Sequence, residues 1–251
     1  MINTPQFLRK DFRHGLPARM RAIHRRIAFG RALRRFMRNP SPRASGFDRT
    51  LLSTLVYGWG NSWSAQHEYL ETCLRHVAAA NGPILECGSG LSTILMGILA
   101  QTTGARIWSL EHNPKYAAQV QHHLDKHGVR SVNLCVAPLK TYGDFDWYSP
   151  PLETMPDGFS LVICDGPPGE TRGGRYGMVP VMRAKLRPDC TILLDDGARP
   201  LEQSIADRWA SALSGAHEII GSEKPFIRLT TGVASPLPPN FLMSIRPVLA
   251  A

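Results

Sequence analysis

"ILECGSGLSTILMGILA", residues 84–100, decides how this chain folds. A short apolar run carrying one acid, Glu86, ends at Cys87. Gly88-Ser89-Gly90 follows, and an apolar pattern of helical length begins at Leu91. A strand that turns through glycines directly into a helix opens an α/β unit, because a parallel sheet needs helices to carry the chain back. At the carboxyl end of such a strand, Gly88 and Gly90 lack the Cβ atoms that would keep a ligand from the backbone. The helix start offers free N–H groups, to which Ser92 and Thr93 add hydroxyls. The turn is therefore expected to be a ligand cradle, in the crevice where open α/β sheets bind ligands.

The same rhythm continues on both sides. Short apolar strands are expected at 83–87, 106–110, 131–136, 159–164 and 190–195, with helices at 91–101, 114–127, 175–186 and 200–214. A further helix over 64–80 precedes the breaker Asn81-Gly82-Pro83. "HEIIG" and "FIRLTTG" are too close for a crossover helix and read as an antiparallel pair closing the sheet edge. The tail holds a proline-rich loop, "SPLPPN", and then "FLMSI". A length of 251 residues suits one α/β domain. No apolar run approaches the roughly 20 residues of a membrane span. Five cysteines without close pairing predict a reduced, cytoplasmic setting.

Charge divides the chain. Residues 1–49 hold thirteen Arg or Lys against Asp11 and Asp48, while the whole chain carries +9. The basicity thus belongs to an N-terminal arm (1–49, a basic helix over 16–38 and an Asn39-Pro40-Ser41-Pro42 linker), and residues 50–251 form the domain. The plain expectation is a solvated arm packed loosely on the domain. An anionic membrane surface, which would make the protein peripheral there, a nucleic acid, and an organelle transit peptide are the sharper readings.

The ligand is narrowed by charge. A dinucleotide fingerprint places a third glycine where Thr93 stands, and a pyrophosphate would be repelled by Glu86. A cationic ligand end would be attracted. S-adenosylmethionine has an ammonium and a sulfonium and lacks phosphate, so Glu86 favours it over NAD. Glu111 follows the second strand, 21 residues beyond Gly90, where an acid can accept both ribose hydroxyls.

A second acidic site lies further along. The strand "FSLVIC" ends on Asp165 and the turn Gly166-Pro167-Pro168-Gly169, followed by Arg172, Arg175 and Tyr176 in a glycine-broken loop suited to closing over an acceptor. "TILLDD" ends on Asp195-Asp196. Side chains alternate along a strand, so one of the two should face the site, and Asp196 is favoured. His122, His123 and His127 fall on one expected helix and read as a solvated surface.

In this order, "ECGSGLST", "SLEHNP", "APL", "DGPPG", "RY" and "LLDD" resemble the class I S-adenosylmethionine-dependent methyltransferases, and a bacterial subgroup with E-x-G-S-G-x-S-T, D-G-P-P-G and L-D-D motifs. The resemblance spans about residues 59–231 and implies a Rossmann-like fold. Its sheet would be mostly parallel and seven-stranded, with an antiparallel C-terminal pair and helices on both faces. It further implies that Glu86, Gly88, Gly90, Ser92 and Thr93 hold the methionine part of S-adenosylmethionine. Glu111 would hold the ribose, His112 would stand beside the adenine, and Ala137 and Pro138 would line its pocket. Asp165 would touch the cofactor's amino group or take a substrate proton, with Asp196 as its catalytic partner. The two acids also resemble those of metal-dependent catechol-type methyltransferases, but Gly197 stands where that pattern has asparagine, which argues against a divalent metal.

The expected reaction is methylation of a small-molecule or glycan hydroxyl. An RNA or protein methyltransferase aided by the arm, a non-catalytic binding protein on the same fold, and an NAD-dependent oxidoreductase are the alternatives.

Overall fold

The computed structural model describes residues 18–42, 46–61 and 64–232; the "SPLPPN" and "FLMSI" expectations lie outside them. Seven helices and nine strands are formed in this range, with one short 3-10 turn at Arg183–Lys185. The helices are α1 (Ala18–Arg38), α2 (Arg49–Trp59), α3 (His67–Ala79), α4 (Leu91–Thr103), α5 (Pro114–Lys126), α6 (Met178–Met182) and α7 (Pro200–Ala212). The strands are β1 (Ile84–Cys87), β2 (Ile107–Glu111), β3 (Val132–Val136), β4 (Leu139–Tyr142), β5 (Phe145–Tyr148), β6 (Phe159–Cys164), β7 (Leu186–Leu194), β8 (Ala216–Ile220) and β9 (Phe226–Thr230).

Seven strands form one sheet in the order β3-β2-β1-β6-β7-β9-β8. The first five run parallel, and β9 is antiparallel to both β7 and β8. Leu194 pairs with Ile227, so the carboxyl end of β7 lies beside the amino end of β9. β1 and β6 are the central pair at which the strand order reverses, and the crevice beyond their ends is the topological switch point.

The central strands are buried on both faces, as parallel strands covered by helices must be. Alternation sends Ile84, Ile107, Leu161, Ile163 and Leu193 into one core, with α1 to α5. Leu85, Leu110, Val162, Ile192 and Leu194 enter the other, with the small β4–β5 hairpin, α6 and α7.

Two expectations are corrected. The basic segment is not a loose arm: Phe29, Ala32, Leu33 and Phe36 of α1 are buried in the first core, so a boundary at residue 49 cuts through a packed helical pair. The helix expected over 175–186 shrinks to α6 and the 3-10 turn. Asp48 accepts from Leu51 N–H and starts α2, and left-handed Gly60 (φ +72°) ends it; that helix and the β4–β5 hairpin were not expected.

Candidate active site

A cavity of about 530 Å³ opens over the carboxyl ends of the central strands. Its wall runs from Glu111 and His112 past Gly88, Ser89 and Gly90 to Asp165 and Gly166, and on to Asp196. Ser92 borders it too, as do Asn61, Tyr116, Tyr148, Arg175, Arg199 and Lys224.

Glu86, Thr93 and Ala137 are corrected: none borders the cavity. Glu86 shares the parity of Ile84 and points into the layer beneath α4, with no exposed surface. Ser92 Oγ (2.6 Å), Thr93 Oγ1 (2.7 Å) and Ser109 Oγ (2.6 Å) donate to its carboxylate. Thr93 in turn accepts from Gly90 N–H at 2.8 Å. Burial pushes the Glu86 carboxyl up to about 7, against the three hydroxyls that favour its charged form. Glu86 therefore braces the cradle from behind, tying the first turn of α4 to β2. Ala137 is buried in the second core, its N–H donating to the Glu111 carbonyl at 2.7 Å. Exposed Pro138 does not border the cavity either.

The reason for the first glycine also changes. Gly88 has φ +94°, and a Cβ there would meet the Gly166 backbone nitrogen at 2.9 Å. The turns that leave β1 and β6 touch backbone to backbone, and only glycine permits that approach.

Glu111 stands ready as an acceptor. Its Oε2 takes Ser89 N–H (3.2 Å) and Ser89 Oγ (2.9 Å), and Oε1 takes Asn113 N–H (2.8 Å). His112 Nδ1 lies 3.1 Å from the same carboxylate. The buried Tyr148 hydroxyl borders the cavity without a hydrogen-bond partner among the described residues. A buried polar group left unpaired is costly, so this hydroxyl marks where a ligand's polar atom would be welcome. The open backbone turn, the Glu111 acceptor and the Tyr148 hydroxyl together suit a nucleoside ligand.

At the other end, Asp165, Asp195 and Asp196 offer carboxylate oxygens within 4.8 Å of one another. Asp196, with φ +61°, faces the cavity, and Asp195 is sealed. Sequence reasoning missed what lies between them. Buried Arg175 donates from Nη2 to Asp196 Oδ2 (2.8 Å), Asp165 Oδ1 (3.2 Å) and the Asp165 carbonyl (2.7 Å), and from Nη1 to the Asp195 carbonyl (2.8 Å). Lys224 Nζ lies 2.7 Å from Asp195 Oδ2 and 2.9 Å from Asp196 Oδ1, and Arg199 lies 3.1 Å from Asp196. Arg175 is thus structural support beneath the acids and not part of a closing loop, while Arg172 pairs with Asp146 and Tyr176 packs under Arg208.

These charges split the acids. Burial pushes the Asp165 carboxyl well up, with Asp195 adding to it and Arg175 opposing. Burial works the same way on Asp196, but Arg175 and Lys224 outweigh it and hold that carboxyl below its usual value. A divalent metal does not fit this donor set, because fixed cations already partner all three carboxylates. His123, expected on a solvated surface, is instead half-buried against Phe29 and Trp59.

Residues 85–197 match a family model described as a methyltransferase domain. No curated protein matches the chain. Among solved structures, precorrin-6Y C5,15-methyltransferase from Geobacter metallireducens GS-15 aligns with a TM-score of 0.51 at 18% identity, covering 70% of this chain and 93% of that one. The C-terminal domain of precorrin-6Y C5,15-methyltransferase from Rhodobacter capsulatus aligns with a TM-score of 0.50 at 11% identity, covering 76% and 96%. The shared architecture is the Rossmann-like class I fold, with its antiparallel C-terminal pair.

Proposed function

We propose that this methyltransferase draws its methyl group from S-adenosylmethionine and passes it to a hydroxyl oxygen of a small molecule or glycan. One observation supports the reading above all. A single cavity joins a braced acceptor for a ribose diol, Glu111, to a pair of unequal acids, Asp165 and Asp196, at the switch point of the sheet. The motif order of the subgroup with E-x-G-S-G-x-S-T, D-G-P-P-G and L-D-D agrees with it.

The donor supplies an electrophilic methyl on a positively charged sulfur. Everything else falls to the chain. Glu111 would accept the ribose hydroxyls, His112 would stand beside the base, and the Gly88–Gly90 backbone and Ser92 would flank the methionine part. The enzyme's first task is to hold acceptor oxygen and methyl in line at near-attack distance. Its second is to receive the hydroxyl proton, and the raised pKa of Asp165 fits it for that. Asp196, kept ionised by Arg175 and Lys224, orients the acceptor. The same two cations supply the fixed positive charge that a metal would otherwise bring to the developing oxyanion.

Titration calorimetry with S-adenosylmethionine, S-adenosylhomocysteine and NAD tests the ligand. The first two are expected to bind, and binding of NAD alone would overturn the reading. A screen of hydroxyl acceptors with labelled donor, with and without chelator, tests the chemistry. Transfer is expected to survive chelation. Asp165→Asn is expected to lower turnover about 10³-fold while donor affinity stays within a few-fold.

A further inference from the structure

α1 has two apolar faces, and among the described residues only one is packed against the core. Phe29, Ala32, Leu33 and Phe36 turn inward to the core. At about 100° per residue, Met20, Ile23 and Ile27 centre on the opposite side of the helix, roughly 160° away. They are exposed by 52%, 58% and 49%. Such large aliphatic side chains in a row on a solvent face mark an interaction surface more often than chance exposure does.

The surroundings of the stripe indicate what it meets. α1 carries eight arginines and no acid. Arg19 and Arg26 flank the stripe on one side, and Arg31, Arg34 and Arg38 continue its line toward the helix end; all five are exposed. The preceding segment adds Arg9, Lys10 and Arg13 against Asp11 alone. Arginine stems lie along apolar surface while their heads stay at a polar boundary, so stripe and flanks suit one slab in which an apolar layer lies beneath negative charge.

We propose that the outward face of α1 lies flat on a membrane surface rich in anionic phospholipid. Met20, Ile23 and Ile27 enter the boundary between headgroups and acyl chains, and the arginines pair with phosphates. A nucleic acid fits less well. The face presents aliphatic side chains where stacking rings would serve, and the rings of the helix, Phe29 and Phe36, are turned inward. A second copy of the helix would bring arginines against arginines. No described helix is long and apolar enough to cross a membrane, so the contact is peripheral.

Co-sedimentation of the full chain with vesicles tests this. Binding is expected with mixed phosphatidylglycerol and phosphatidylcholine, and not with phosphatidylcholine alone or in high salt. The double variant Ile23→Glu/Ile27→Glu changes only exposed positions and is expected to keep its melting temperature while vesicle partitioning falls about tenfold or more. The variant Arg19→Gln/Arg26→Gln should weaken binding to anionic vesicles more than twofold. Absence of binding to anionic vesicles would overturn the proposal, as would unchanged binding by the Ile23→Glu/Ile27→Glu variant. RNA binding that survives those two changes, with no vesicle binding, would assign the face to nucleic acid instead. Methyl transfer in solution is a separate readout, so failure here leaves the proposed chemistry standing.

Discussion

Two acidic centres sit side by side at the end of this sheet and are given different partners. Behind the cradle, Glu86 is met by three neutral hydroxyls, and its carboxyl rises to about 7. Beyond β6 and β7, Asp165, Asp195 and Asp196 are met by Arg175 and Lys224, with Arg199 at the rim. Hydroxyls satisfy geometry but offset little of the cost of burying a charge; cations offset much of it and leave an uncompensated ion if removed. The cradle is thus a scaffold whose charge is dispensable. In the acid cluster it is Asp196 that Arg175 and Lys224 hold charged, close to where a reaction would develop a charge, while burial raises its neighbour Asp165.

The sharpest way to break this contrast is Glu86→Gln. The folded-state pKa lies above the ordinary 4.5, so the stability Glu86 contributes is complete below that value and is lost as pH rises through about 7. The variant should lack this decline, gaining on the parent by roughly 3 kcal/mol in denaturant melts between about pH 5 and pH 8. An unchanged pH dependence would mean that the hydroxyls tolerate the ion after all.

Lys224→Met addresses the other side. It leaves Asp195 and Asp196 short of a partner, and because Lys224 is partly exposed the expected loss is roughly 2 kcal/mol, read by thermal unfolding. A melt identical to the parent's would show that Arg175 balances the cluster unaided.

The smallest expected effect concerns the loop that carries Lys224. Glu68 of α3 accepts from the N–H groups of Ser222 and Glu223, each at 2.9 Å. The Glu223 N–H, then the Ser222 hydroxyl, holds the Glu68 carboxyl down to about 2. That stability is present above pH 4.5 and is lost as pH falls through about 2. Glu68 is partly exposed and solvent screens it, so Glu68→Gln should cost only about 1 kcal/mol at neutral pH, with the gap closing in acid.

Much of this was legible in the sequence, for physical reasons. Glycine turns and apolar runs marked where β1, β2, β6 and β7 end, and a parallel sheet gathers those ends on one side. Gly88, Gly90, Glu111, Asp165 and Asp196 therefore fell on one cavity wall. The direction of Glu86 was not legible, because β1 is buried on both faces and its pattern carries no inside or outside. Lys224 had a signal that went unread. The expected antiparallel pair already placed the residues before "FIRLT" beside the end of "TILLDD". The β4–β5 hairpin was likewise announced by Gly143-Asp144, with φ +66° at the glycine, between two residues that pair. Asp48 and Gly60 announced α2 in the same way.

The position of Lys224, on the link into the last strand, bears on how a ribosome delivers the molecule. Synthesis runs from the amino end, and partly made domains begin to organise as they emerge. Asp165, Arg175, Asp195 and Asp196 all leave the exit tunnel before Lys224 does, so a nascent chain that has emerged only to about residue 215 has its acids with one counter-charge missing and the sheet edge at β7 unpaired. Completion of the last hairpin closes the sheet and neutralises its chemistry in a single event.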